Sequence, residues 1–355
     1  MLEPVTMTRL ASVSDDAGPL PRRDGAAVRT AGLLVATAVL LGVAVVSIAV
    51  GTKAIPLGTV VDSLLHPDQL YNSTVIYDLR LPRTALGLAV GASLGLAGAL
   101  MQSITRNPLA DPGVLGVNAG ASAAVVTAIG VFHLTSTFGY VWFALAGAAL
   151  ASVTVYVLGT RGRSSATPAR LALAGTAISA ALGAFISGMA ILDPQTFDSF
   201  RFWAVGSLAG RPLEVLWQTG PFLLVGAGIA LGLARPLTAL ALGHDTGRAL
   251  GAHLGRTRVL GVLAVTLLCG GAVAAVGPVG FVGLTVPHVA RGIVGPDQRW
   301  VLPYSMVLAP ILLLAADVVG RVIARPGEIQ VGIVTAFVGA PVFIMIARRR
   351  RLASL

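Results

Sequence analysis

RLPRTALGLAVGASLGLAGALMQ, residues 80–102, decides the fold. From Thr84 onward it carries no charge for about the 20 residues that a helix needs to cross the hydrocarbon core of a bilayer, so a membrane span is predicted over residues 84–102. Gly87, Gly91, Gly95 and Gly98 lie along it. They remove side-chain bulk, so that another helix backbone can approach closely. Arg80 and Arg83, bracketing Leu81 and Pro82, stand at its mouth.

Working outward, comparable apolar stretches fall near residues 31–51, 113–132, 138–158, 169–192, 216–234, 258–277, 279–295, 301–323 and 331–347. With 84–102 they make ten spans. The third and eighth are interrupted by Pro112 and Pro287 and are rich in Gly. The chain has 355 residues, 55% hydrophobic and 11% charged, where a soluble domain carries about 25% charged residues. The expected class is therefore an all-α polytopic membrane protein of about ten transmembrane helices. Its parts are a polar tail over residues 1–30, a membrane domain over 31–347 and a basic tail over 348–355.

Charge distribution sets the orientation. With a cytoplasmic N-terminus, 18 of the 25 basic residues fall on the inner side, and seven (Lys53, Arg80, Arg83, Arg201, Arg211, Arg321 and Arg325) fall outside. The positive-inside bias thus places both termini in the cytoplasm. The net charge of +10 sits in short clusters between apolar runs, ending at Arg348–Arg351. That is the pattern of an inner-membrane protein rather than of a nucleic-acid groove.

Several chemistries lack their residues. The sole lysine, Lys53, follows Thr52, so the chain cannot supply the Gly-Lys-Ser/Thr loop of a Walker-type nucleotide site. His66, His133, His244, His253 and His288 are scattered without metal-ligand spacing. Cys269, the single cysteine, lies inside an apolar run, where it reads as a small buried side chain. Asp317 is the one charge well inside a span, four residues before Arg321 and on the same helix face. A local ion pair follows from that spacing. A stand-alone secondary transporter would be expected to carry several such carboxylates, and a membrane-embedded enzyme would need a nucleophile or metal set that the sequence does not show.

Two further features stand out. Arginines on the outer side run against the positive-inside bias; either they face carboxylates on a protein surface or they snorkel to lipid phosphates. The longest inner loop, residues 235–258, alternates Leu240, Leu242, Ala249, Leu250 and Leu254 with His244, Asp245, Arg248 and Arg256. Such an amphipathic segment suits either the membrane surface or a groove on a partner.

RLPR (80–83), GASLGLAGALMQSITRNPLADPGVLGVNAGA (91–121), LALGHDTGRALGAHLGRTR (240–258), GPVGFVGLTVPHVAR (277–291), ADVVGR (316–321) and VGIVTAFVGAPVFI (331–344) occur in this order. Together they resemble the FecCD-type permeases of binding-protein-dependent ABC importers, which serve ferric siderophores, haem and cobalamin. The resemblance implies a dimer of ten-helix subunits in the bacterial cytoplasmic membrane, formed with an identical chain or a paralogue. It also implies two cytoplasmic ATPase subunits that hold ATP and Mg, no cofactor in this chain, and a soluble substrate-binding protein outside. By the same resemblance Arg80, Arg83 and Arg321 meet glutamates of the binding protein. Asp245, Arg248, Leu250 and Gly251, in a coupling segment over residues 236–256, contact the ATPases, and Asn118 marks an inner gate near Gly116–Gly120. A ferric siderophore is the expected cargo, with haem and cobalamin as alternatives. Two positions depart from the family pattern: His244 precedes the acidic Asp245 of the coupling motif, and Gln330 stands where proline is usual.

Overall fold

The computed structural model describes residues 25–51, 55–66, 71–134, 136–160, 168–241 and 254–351, and every regular element among them is helical. In chain order they are α1 (Gly25–Ala49), α2 (Leu57–Leu65) and α3 (Leu81–Thr105), the last entered through Tyr71–Thr74 and a π-helical turn, Val75–Arg80. A 3-10 turn, Pro112–Leu115, leads into α4 (Val117–Gly130). There follow α5 (Thr137–Thr160), α6 (Pro168–Leu192), α7 (Pro194–Ala204), α8 (Glu214–Gly232), α9 (Ala234–Ala241), α10 (Leu254–Val276), α11 (Val282–Val294), α12 (Gln298–Ile323) and α13 (Val331–Arg351).

Each of the ten expected spans corresponds to a helix. Seven are long and apolar enough to cross a membrane, whereas α4, α11 and the apolar part of α13 are shorter. Local chemistry explains the first two. Asp111 accepts from Gly113 N at 2.8 Å and starts the 3-10 turn, and Gly116, at φ 71°, turns the chain through a region that glycine enters without steric cost. The segment before α11 turns at Gly277, φ 80°.

α3 occupies the centre and packs against α8, α10, α11 and α12. The glycines of its sequence are where those neighbours come closest. A methyl at Gly91 would lie 2.6 Å from Pro310 Cα of α12, and methyls at Gly95 and Gly98 would overlap the carbonyl oxygens of Ser305 and Gly283. The stripe is a packing surface, and burial follows from it: 78% of the α3 span is buried, against 11% for α1 and 6% for α6, which lie at the periphery.

Boundaries moved in two places. α1 begins at Gly25, six residues before the expected apolar stretch, and Thr30 Oγ1 donates to Ala26 O at 2.9 Å. At the other end α13 continues through Arg351, so Arg348–Arg351 extend the helix; arginine is a good helix former, and cations suit a helix C-terminus. Residues 1–24 and 352–355 lie outside the described residues. α7 was not anticipated. Its signal was local: Asp193 accepts from Gln195 N (3.1 Å) and Thr196 N (3.2 Å), with Pro194 at the first helical position, an N-cap arrangement readable in sequence.

Candidate functional site

Three of the singled-out residues come together where α1 ends, α3 begins and α12 ends. The C-terminal carbonyls of α1 have no acceptor role within their own helix and need donors. Arginines supply them. Arg80 Nη1 donates to Ile48 O (2.6 Å) and Ala49 O (2.8 Å). Arg321 Nη1 donates to Ser47 O (3.0 Å) and Val50 O (2.9 Å), its Nη2 reaches Ser47 Oγ (3.0 Å), and Arg325 Nη2 reaches Gly51 O (2.7 Å). Positive charge also complements the negative end of the α1 dipole.

Arg83 is held differently. Its Nε and Nη2 grip Asp317 in a fork, at 3.0 and 2.7 Å, while Nη1 pairs with Glu328 at 2.8 Å. Asp317, fully buried, simultaneously pairs with Arg321 at 2.9 Å. Such bidentate, charge-assisted contacts combine strength with geometric definition. The Asp317–Arg321 pair is the one read from sequence spacing. Asp317 has a second partner, Arg83, which that spacing does not indicate.

The same bonds bury these arginines. Arg80 and Arg321 are 6% and 3% exposed, turned toward α1 rather than toward lipid phosphates. They border, with Arg83, Glu328, Gly51, Val75, Leu79, Ala209, Gly210, Pro326 and Gly327, a depression of about 360 Å³. Arg83 and Arg321 share Asp317, Arg83 also meets Glu328, and Arg80 and Arg325 bind α1 carbonyls, so within this cluster arginines outnumber carboxylates. Sequence reasoning placed Arg325 among the outer arginines but gave Glu328 no role, because its partner Arg83 lies 245 residues away in the chain.

At the opposite end, Arg106 Nη2 donates to Leu240 O (2.7 Å), and Arg291 Nη1 donates to Gln102 Oε1 (2.6 Å). Gln102 Nε2 in turn reaches Leu284 O at 3.0 Å. Asp245, Arg248, Leu250 and Gly251 lie outside the described residues; α9 and α10 flank them. Asn118, on the first turn of α4, accepts from the Cys269 thiol of α10 at 3.9 Å. Its neighbours Gly116 and Gly120 pack against Val155 and Ala151 of α5, with Ile178 of α6 beside Gly116. The arginine cluster and Asn118 are thus separate places in the molecule.

Comparison with known proteins adds a second line of observation. Residues 39–349 match the FecCD transport family. The ferric enterobactin transport system permease protein FepD of Escherichia coli is 50% identical over 282 residues, 79% of this chain and 84% of its own length. A siderophore transport system permease protein of Bacillus subtilis, YfiZ, is 42% identical over 78% of this chain and 83% of its own. The cobalamin import system permease protein BtuC of Halobacterium salinarum is 37% identical over 79% and 75%. Among solved structures, a metal-chelate type ABC transporter in an inward-facing conformation superposes with a TM-score of 0.78 at 28% identity, covering 90% of this chain and 99% of that one.

Proposed function

The chain belongs to the FecCD transport family, and from that premise we propose that it is the permease through which an ATP-driven importer moves a ferric siderophore. Family membership makes it a multi-pass inner-membrane transport permease. The observation carrying the cargo assignment is the 50% identity, along most of both chains, to a permease for ferric enterobactin. The relative named for cobalamin is less similar, at 37%.

In this reading both termini face the cytoplasm, and the arginine end faces outward. A loaded binding protein docks there. Its carboxylates are drawn by the arginine-rich cluster of Arg80, Arg83 and Arg321, with Arg83, at 12% side-chain exposure, the most accessible of the three and the other two supporting it from beneath. Two such permeases, identical or paralogous, enclose the pathway. ATPase subunits, which hold ATP and Mg, engage the segment over residues 236–256 through Asp245, Arg248, Leu250 and Gly251. Their closure reorients the helices, with Asn118 near the inner gate, and each state is favoured by its differential binding of partners and nucleotide. This chain contributes a pathway and a linkage rather than a reaction.

The test is uptake of radioactive iron as ferric siderophore into proteoliposomes containing the chain, its ATPase and its binding protein. Uptake that requires ATP and all three components is expected. Uptake by the chain alone would make it a secondary carrier, and ATP-driven uptake of haem or cobalamin in place of the siderophore would overturn the cargo.

A further inference from the structure

Arg83 divides its guanidinium between two carboxylates of very different standing. Nε and Nη2 hold Asp317, which is fully buried, lies on α12 and also pairs with Arg321. Nη1 holds Glu328, whose side chain is 33% exposed, and this bond lies at the surface. Glu328 belongs to the segment between α12 and α13, where residues 325–328 are all exposed. That segment is tied down on both sides of the carboxylate: Arg325 Nη2 donates to Gly51 O (2.7 Å) and Ile329 N to Gly320 O (3.1 Å). Glu328 also stands, with Arg83, on the wall of the depression beside the arginines.

The two contacts differ in what it takes to break them. Taking Asp317 away leaves buried cations without their anion, which is strongly unfavourable. Taking Glu328 away returns a partly exposed carboxylate to water, and exposed ion pairs contribute little to stability. An exposed side chain turns about its own bonds within picoseconds to nanoseconds, so Glu328 can leave Nη1 while the anchored backbone on either side stays in place. Arg83 thus has a permanent half and an exchangeable half. What replaces Glu328 must be an anion offering an oxygen to Nη1, and a second carboxylate does so with no change in the number of ion pairs that Arg83 makes. At Arg80 and Arg321 the Nη1 groups bond α1 carbonyls instead.

We propose that Glu328 is a built-in competitor of the docking protein: it occupies Arg83 Nη1 in the undocked permease, and a carboxylate of the substrate-binding protein takes its place on docking. The inference rests on the docking role given to Arg83 above and deepens it by naming the contact that must open. Any occupant has to outcompete Glu328, which keeps weak anions off the site, and Arg83 has a counter-ion at Nη1 before and after the exchange. The apparent docking affinity is lowered by the fraction of permease in which Nη1 is free.

The test is docking of the binding protein that supports ATP-driven uptake onto the full-length chain with its ATPase in nanodiscs, measured by interferometry. Glu328→Gln should tighten docking about threefold. Asp198→Asn removes a different carboxylate, on α7, 64% exposed and paired with Arg201 rather than Arg83; it should leave docking unchanged. A gain of the same size in both variants would make the effect one of net charge and overturn the proposal. Unchanged docking of Glu328→Gln would also overturn it, as would weaker docking, which would make Glu328 a residue that positions Arg83. In an Arg83→Lys background, where a single ammonium serves the buried Asp317, the gain from Glu328→Gln should vanish; a gain that persists would sink the competition. The same variants separate the two ideas. Weaker docking of Arg83→Lys with Glu328→Gln indifferent refutes the competition alone, whereas wild-type docking of both refutes the docking role of Arg83.

Discussion

The two ends of the helix bundle hold their arginines in different ways. At the α1–α3–α12 end, Arg83 and Arg321 share the fully buried carboxylate of Asp317, and Arg80 and Arg325 complete the cap on α1. At the other end Arg291 meets, among the described residues, a neutral amide, Gln102, which itself leans on the Leu284 carbonyl. At the first end a buried carboxylate is shared by two arginines, whereas Arg291 at the other is met by a neutral dipole. Dipolar partners are individually weaker than ionic ones, so the first end is the fixed one and the second can rearrange at lower cost.

The sharpest way to break this contrast is Asp317→Asn. It leaves two buried guanidinium groups without their shared carboxylate, and removal of one partner from a buried pair costs about 3–5 kcal/mol. A markedly lower thermal midpoint in detergent is expected; a midpoint matching wild type would show that the cluster does not fix its end. Gly98→Ala comes next, at about 3 kcal/mol, since the added methyl would overlap the Gly283 carbonyl of α11 and backbone yields little. A variant as stable as wild type would mean that α3 and α11 separate freely. For Gln102→Leu the expected loss is about 1–2 kcal/mol, from Arg291 and two carbonyls losing a partner. Should it equal the Asp317 effect, the ends would be alike after all.

Acidification gives the smallest effect. Asp297, at the N-terminus of α12, is held below the usual carboxylate range, chiefly by the Arg299 side chain and also by Arg299 N. A lowered carboxyl pKa contributes stability above its unfolded value, about 4, and loses it as pH falls through the folded value. Between about pH 5 and pH 3 the thermal midpoint should drop slightly more in wild type than in Asp297→Asn. Equal slopes would remove Asp297 from the account.

What the sequence disclosed follows the range of each interaction. Apolar runs of span length are local, so all ten helices were legible, and Asp317–Arg321 was legible because one helical turn separates them. Arg83 and Asp317 stand 234 residues apart, and nothing local marks them as partners. The glycine stripe of α3 announced a close neighbour but not that the neighbours would be Pro310, Ser305 and Gly283. α7 was available through Asp193 and Pro194, yet its length falls short of a span. The depression beside Arg80, Arg83 and Arg321 draws on several segments distant in sequence, so no pattern along the chain foretells it.

The separation of Arg83 from Asp317 is also an interval of time. At about 5–20 residues per second of synthesis, the counter-ion emerges on the order of 12–47 seconds after the arginine it neutralises. During that interval α3 is already made, and Arg80 can settle on the α1 carbonyls, only 31 and 32 residues behind it. Among the described residues Arg83 has no such early partner, because Glu328 comes later still. The ion network is therefore completed late, with only α13 still to follow Glu328, and a chain truncated before α12 leaves the ribosome with its central helix still carrying an unneutralised charge.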